Sequence, residues 1–230
     1  EISECLVGSE MCIRDRDLNI IKQITPVLIK GSIITIELTA ISVCLGSIIG
    51  IIVALLKLCN NKLVFYVGGF YTWIFRGTPL LLQLFFIYYG LPFVGIKFTP
   101  FSAAILGLSL NAGAYTAEII RGGIISVDKG QFEACRALGF NYFHTMKKIV
   151  LPQTFKIIIP SLGNEFITML KDTSLVSTIA MVEVMRSAQL LYSSTFKPME
   201  TFILTAVLYL IMTTIFTTIF GVFEKKASVY

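Results

Sequence analysis

Apolar runs long enough to cross a lipid bilayer dominate this sequence. The run from Gly31 to Leu56 carries a single charged residue, Glu37, and as a helix it reaches about 39 Å, enough to cross a hydrocarbon core of about 30 Å. We predict spans near residues 31–56, 63–95, 101–120, 149–170 and 201–223. A lipid-embedded backbone must satisfy its own hydrogen bonds, so the runs predict an all-α polytopic membrane protein with about five transmembrane helices.

Composition excludes several classes of protein. Of 230 residues, 55% are hydrophobic and 14% are charged, whereas a soluble domain carries roughly 25% charged residues. Lys and Arg are dispersed between the apolar runs, so no basic surface for nucleic acid is indicated. The five cysteines have neither CxxC nor metal-ligand spacing, and we expect reduced structural thiols. The composition indicates a lipid-embedded protein without a metal site.

The chain divides into one membrane domain and two short ends. We expect a single transmembrane domain over residues 17–226 and a cytoplasmic tail at 227–230. Residues 1–16 are polar and lack the basic and apolar regions of a secretory signal. We expect them to be a non-native or disordered tail, and a short native extramembrane tail is the alternative.

The second apolar run is interrupted. Arg76-Gly77-Thr78-Pro79 breaks it, because proline removes a backbone donor and glycine loosens a helix. The run is therefore either one broken span or an interfacial helix followed by a shorter span. In a single span Arg76 lies near mid-membrane, where its planar guanidinium is suited to binding a carboxylate. If residues 63–75 instead lie along the interface, the Arg76 side chain reaches the lipid headgroups.

Residues 126–148 form a sizeable polar segment. More Lys and Arg residues fall on the side of the span ends that includes this segment than on the other side, which predicts that the segment is cytoplasmic. With five spans, the N-terminus then lies outside and the C-terminus inside. No P-loop pattern is present in the chain, so we expect another subunit to bind ATP.

The polar segment contains a spaced motif, Glu133-Ala134-Cys135, three residues, Gly139, nine residues, and Ile149-Val150-Leu151-Pro152. Small residues around Glu133 predict a slim helix, Gly139 can end it in a left-handed cap, and Leu151-Pro152 can begin the next helix. An ordinary amphipathic surface loop is the alternative. The spacing is similar to the EAA loop of ABC importer permeases, with cysteine where the family usually has alanine at the third position.

Three other stretches extend the resemblance over most of the chain. They run from Arg76 to Pro92, from Asn111 to Glu118 and from Leu170 to Leu175, and they resemble the polar amino-acid branch, the histidine- and glutamine-type permeases. The resemblance implies a type I ABC importer permease-like bundle in the bacterial cytoplasmic membrane, carrying polar amino acids by alternating access. It implies these ATPase-coupling residues: Glu133, Ala134, Cys135, Arg136, Gly139, Leu151 and Pro152.

The same resemblance implies partners for the chain. They are two ATP-hydrolysing subunits that bind ATP and Mg²⁺, a second permease copy (identical or a paralogue), and an extracytoplasmic amino-acid-binding protein. No cofactor is expected in this chain. Alternative functions are a stand-alone secondary transporter or channel, or an intramembrane enzyme, although neither HExxH nor a nucleophile with a base is evident.

Polar residues inside the spans are candidates for the substrate path, because such residues are costly in lipid. An amino acid needs donors for its carboxylate and acceptors for its ammonium group. The candidates are Arg76, Asn111, Asn164, Glu165, Lys171, Asp172, Thr173 and Ser174. Structural alternatives are hydrogen bonding between helices for Asn111, and helix capping or a Lys171–Asp172 pair for the last group. Glu118 is expected to pair with Arg121, and His144 to be an exposed helix residue.

Overall fold

The structure is a computed structural model that describes the backbone of residues 2–228 and the side chains of residues 19–226. Regular structure in this part of the chain is helical throughout, which confirms the predicted all-α class. The α-helices are α1 (Ile2–Leu58), α2 (Lys62–Gly77), α3 (Leu80–Phe85), α4 (Pro100–Ile125), α5 (Lys129–Ala137), α6 (Tyr142–Thr145), α7 (Leu151–Asp172), α8 (Val184–Thr195) and α9 (Pro198–Ser228). The expected tail, residues 1–16, lies outside the described side chains.

Among the residues that the structure describes, three helices are long and apolar enough to cross a membrane, namely Asn19–Leu58 within α1, Pro100–Ile125 and Pro198–Lys226 within α9. Lys62–Gly77 and Leu80–Val94 form a bent pair that adds a fourth if the pair counts as one span. The run expected at 149–170 forms α7, but its polar residues make it less apolar than these three helices. Three or four spans are thus supported, and the count of five stays a prediction.

The break in the second apolar run is confirmed. Helix α2 ends at Gly77, and the next helical segment leaves it at an angle of 102°. Thr78 is extended, the conformation that a following proline favours. The Gln83 side-chain amide donates hydrogen bonds of 2.9 Å to the Phe75 carbonyl oxygen and 3.0 Å to that of Thr78. A buried side chain therefore satisfies carbonyl groups that the break leaves without helical partners.

Small residues allow α1 to lie close against α4, its main partner in the bundle. A Cβ atom at Gly46 would lie 2.7 Å from the Ala112 Cβ, and one at Gly50 would lie 2.7 Å from the Thr116 Cβ. A Cβ atom at Gly113 would lie 2.8 Å from Ile49 Cγ2, so the two helices are equally close at that point. Glycine is needed at these positions because any side chain would separate the helices.

Apolar side chains from α1, α3, α4 and the segment after α7 form the main core. Its fully buried members include Leu38, Leu84, Leu108, Val176 and Ile179. This core lies where the broken second run meets α4, and it supports the polar site described below.

The mixed segment between residues 171 and 198 folds into a 3-10 helix, Thr173–Ile179, and the helix α8. Glu183 begins α8 and is fully buried. Its carboxylate accepts hydrogen bonds from the backbone N–H groups of Met185 (2.8 Å) and Arg186 (2.7 Å), from Thr35 Oγ1 and from the Tyr209 hydroxyl (both 3.3 Å). One side chain thus caps α8 and ties it to α1 and α9.

Candidate functional site

The 126–148 segment presents α5 as a short helix with a defined start and end. The Asp128 side chain accepts a 2.6 Å hydrogen bond from the backbone N–H of Gly130 at the start. At the other end Gly139 has φ +77°, and Phe140 N donates to the Cys135 carbonyl at 2.9 Å while Gly139 N donates to that of Arg136 at 3.0 Å. These two bonds are the Schellman pattern, so the left-handed cap expected at Gly139 is confirmed.

The motif residues of α5 divide into two faces. Glu133, Ala134 and Arg136 are exposed, whereas Cys135 is buried. The cysteine therefore packs α5 against the body of the protein, and its neighbours form a small charged surface that is open to solvent.

Helix α7 begins at Leu151, as expected from Leu151-Pro152, but it continues a helical run that starts nine residues earlier. The helical run begins at Tyr142, where the Asn141 side chain accepts a 2.9 Å hydrogen bond from the backbone N–H of His144. It continues through a π-helical turn, Met146–Val150, into α7. Pro152 lacks the N–H that would bond within this turn, so the distortion lies just before the proline. Leu151 and Pro152 are exposed, and His144 is an exposed helix residue as expected.

Exposed apolar side chains beside α5 are a feature that the motif did not reveal. Leu138 and Tyr142 are each 73% exposed, and Phe143 is 68% exposed. A cleft of about 130 Å³ lies next to them, lined by Phe132, Arg136, Phe140, Tyr142 and Thr145. Aromatic residues in an otherwise polar segment were the available sequence signal for this exposed apolar surface.

A polar pocket of about 470 Å³ lies where the break of the second run faces α4 and α7. Its lining is Arg76, Gly77, Thr78, Pro79, Leu80, Asn111, Tyr115, Glu165, Thr168, Asp172 and Leu175. Half of the eight predicted path residues therefore meet at one place. Tyr115 and Thr168 were missed, although each lies one helical turn from a predicted residue, Asn111 or Glu165, on the same helix face.

The charged groups of the pocket belong to different walls. Arg76 lies at the end of α2, and its guanidinium lies 5.2 Å from the centre of the Tyr115 ring on α4. Glu165 and Asp172 lie on α7. Arg76 therefore lines a polar pocket at the helix break.

Asn111 joins helices in addition to lining the pocket. Its Nδ2 atom donates hydrogen bonds of 3.1 Å to the Phe75 carbonyl and to Gln83 Oε1. Hydrogen bonding between helices, which was the structural alternative for Asn111, is therefore confirmed. Gln83, the other partner, was not predicted from the sequence.

The other four path candidates lie outside the pocket. Lys171 and Ser174 line an apolar groove against α9. Thr173 is buried and donates a 2.7 Å hydrogen bond to the Leu170 carbonyl, and Asn164 is exposed elsewhere on α7. Neighbours along a helix point in different directions, which separates these residues from Glu165 and Asp172.

A charge cluster lies one turn from the pocket on α4. Glu118 accepts hydrogen bonds from Arg121 Nε (3.0 Å) and Nη2 (2.8 Å), so the predicted ion pair is confirmed. Two unexpected cations join it: Lys57 contacts Glu118 Oε1, and Arg76 Nη1 lies 3.9 Å from Oε2. Lys57 also donates a 2.9 Å hydrogen bond to Thr72 Oγ1, so the cluster connects α1, α2 and α4.

Comparison with known proteins agrees with this architecture. The family described as "Binding-protein-dependent transport system inner membrane component" matches residues 46–229. GlnP of Rickettsia bellii, named as a glutamine transport system permease protein, is 42% identical over 200 residues, which cover 86% of this chain and 92% of the relative. The arginine transport system permease protein ArtQ of Bacillus subtilis is 41% identical over 202 residues, covering 87% and 92% of the two chains.

A solved structure is similar along nearly the whole chain. The crystal structure of an amino acid ABC transporter with histidines matches with a TM-score of 0.87 and 41% identity, covering 91% of this chain and 97% of the other. The chain therefore belongs to the binding-protein-dependent transport system inner membrane components, the permease subunits of ABC importers, and it is a transporter subunit and not an enzyme.

Proposed function

We propose that this chain is the permease subunit of an ATP-driven importer that moves polar amino acids across the bacterial cytoplasmic membrane. The observation that carries the proposal is the pocket with Arg76 on one wall and Glu165 and Asp172 on another. The names of the relatives, which specify glutamine or arginine, support it, and so does the similarity to an amino acid ABC transporter crystallised with histidines.

The pocket suits a zwitterion. The Arg76 guanidinium has an ion pair and a ring contact but makes no hydrogen bond among the described residues, so its donors are available to a carboxylate. Glu165 and Asp172 can accept from an ammonium group or a cationic side chain. Asn111 shapes the wall, since its donors already hold Phe75 and Gln83. We propose no direct substrate contact for Asn164, Lys171, Thr173 and Ser174.

The 126–148 segment links the two helices that form facing walls of the pocket. It joins the end of α4, which carries Asn111 and Tyr115, to the start of α7, which carries Glu165 and Asp172. A partner that moves α5 would therefore shift these walls against each other, which is what alternating access requires. The proposed contact residues are Glu133, Ala134, Arg136, Gly139, Leu151 and Pro152, together with the exposed Leu138, Tyr142 and Phe143. The buried Cys135 takes part in coupling as the residue that holds α5 against the rest of the protein.

The proposal includes the assembly. Two ATPase subunits bind ATP and Mg²⁺ on the cytoplasmic side, a second permease copy completes the translocation path, and an extracytoplasmic receptor delivers the amino acid. The N-terminus lies outside and the C-terminus inside, as the distribution of Lys and Arg favours.

Reconstitution tests the proposed function. The chain, its ATPase partners and its receptor are placed in liposomes, and uptake of radiolabelled L-arginine, L-histidine and L-glutamine is measured with and without ATP. We expect uptake of at least one of the three that requires ATP, and none with the chain alone. Gradient-driven flux by the purified chain alone would instead support a secondary transporter or channel.

A further inference from the structure

Glu118 interacts with more cations than a carboxylate in an ordinary surface ion pair does. Its side chain is 15% exposed, and three cations from three helices surround it. Lys57 contacts one carboxylate oxygen, and Arg121 donates two hydrogen bonds to the other. Both oxygens therefore have hydrogen-bond partners before Arg76 is considered.

Arg76 is therefore held near Glu118 without donating a hydrogen bond to it. Its Nη1 atom lies 3.9 Å from Glu118 Oε2, close enough for electrostatic attraction and beyond hydrogen-bond range. The Tyr115 ring, 5.2 Å from the guanidinium carbon, supports the planar group from the side. These contacts keep the guanidinium at the pocket wall and leave its N–H groups available to donate hydrogen bonds to a ligand.

The cluster also carries excess positive charge. Lys57, Arg76 and Arg121 share one carboxylate, and of these three cations Arg76 lines the pocket. Arg76 thus presents positive charge at one wall of the pocket, opposite Glu165 and Asp172, where it can bind a carboxylate.

We propose that Glu118 is a positioning residue for substrate recognition, which holds Arg76 at the pocket wall so that the guanidinium binds the carboxylate of the transported amino acid. Lys57 and Arg121 occupy the Glu118 oxygens, and this prevents Arg76 from forming a closed ion pair with Glu118 and leaving the pocket. The inference rests on the proposed function and extends it to a residue that does not line the pocket.

Substrate binding by the purified permease–ATPase complex, without receptor, tests the inference. Equilibrium dialysis measures the Kd of L-arginine, L-histidine and L-glutamine, and competition with the carboxamide of each amino acid measures how strongly the carboxylate is recognised. The variants are Glu118→Gln, Arg76→Gln and the double variant. Glu200→Gln is the matched control, because Glu200 also pairs with a cation three residues away, Lys197 at 3.6 Å, but lies at the start of α9.

We expect Glu118→Gln to raise the Kd at least about tenfold, a factor equivalent to about 1.4 kcal/mol, and to reduce the preference for carboxylate over carboxamide. In the Arg76→Gln background the same change should have little further effect, because the positioned group is already lost. Glu200→Gln should bind like the wild type. An unchanged Kd in Glu118→Gln, or an undiminished effect without Arg76, would overturn the inference.

A second variant covers the case in which Glu118→Gln does not assemble. Arg121→Gln opens Glu118 Oε2 to Arg76, so Arg76 should withdraw from the pocket and the preference for carboxylate should fall. An unaltered preference in Arg121→Gln contradicts the inference. A wild-type complex that imports none of the three amino acids with ATP contradicts the proposed function instead, so the two failures are distinguishable.

Discussion

Asn111 and Gln83, on different helices, are joined by a buried hydrogen bond of 3.1 Å between Asn111 Nδ2 and Gln83 Oε1. Gln83 also donates to carbonyl groups on the other side of the helix break, at Phe75 and Thr78. The pair therefore fixes the end of α2, and with it Arg76, relative to α4.

Replacing Gln83 with leucine should loosen this break. The Thr78 carbonyl loses a buried donor and the Asn111 amide loses an acceptor, at a cost of about 1–3 kcal/mol for unsatisfied groups. Thermal unfolding of the purified complex should show a lower midpoint. The exposed Gln23 provides the control, since Gln23→Leu breaks no buried hydrogen bond. Equal midpoints for the two variants would refute the role of Gln83.

Gly139→Ala should weaken coupling to the ATPase subunits. A left-handed conformation at φ +77° costs a residue with Cβ roughly 1–2 kcal/mol, which shifts the end of α5. ATP hydrolysed per amino acid imported should rise. Gly122→Ala is a close control, because a Cβ atom added at either glycine would meet nothing within 4 Å and only Gly139 has a positive φ. Normal coupling in Gly139→Ala would argue against a contact at this turn.

Glu183→Ala should destabilise the packing of α8. The backbone N–H groups of Met185 and Arg186 and the Tyr209 hydroxyl lose their buried acceptor. We expect a loss of about 1–3 kcal/mol, read as a lower unfolding midpoint and faster proteolysis near residues 180–196. Glu183→Gln keeps one acceptor oxygen and should fall between the alanine variant and the wild type. A wild-type midpoint in Glu183→Ala would show that the cap contributes nothing.

Glu165→Gln and Asp172→Asn should each weaken amino-acid binding in the absence of receptor. Loss of a charge-assisted hydrogen bond corresponds to roughly a tenfold or larger rise in Kd. The rise should be greater for L-arginine than for L-glutamine, because the side chain of arginine is a second cation. Glu224→Gln, at the exposed end of α9, controls for the loss of a carboxylate. Equal Kd values across all three variants would show that neither carboxylate binds the amino acid.

Features set by neighbouring residues were predictable. The helix break follows from Gly77-Thr78-Pro79, and the turn at Gly139 follows from a glycine after a short helix, because both depend on local backbone preferences. The Glu118–Arg121 pair was predictable for the same reason, since residues three apart meet on a helix surface.

The helix faces and the long-range partners were not predictable. The four residues 171–174 were treated as one group, yet Asp172 lines the pocket while Lys171 and Ser174 face α9. Lys57 and Arg76 are distant in sequence from Glu118, and no periodicity marks them as its partners. Glu183 lies in a mixed segment whose hydropathy gave no sign of a buried carboxylate.

Hydropathy and motif spacing were thus sufficient to predict a helical membrane permease and the capped short helix of its 126–148 segment, because span length, capping and turn chemistry act over a few residues. The pocket depends on how the bent second run, α4 and α7 pack together. That packing rests on glycine contacts and buried hydrogen bonds between helices far apart in the chain, and only the folded arrangement brings Arg76 opposite Glu165 and Asp172 and places Glu118 behind it.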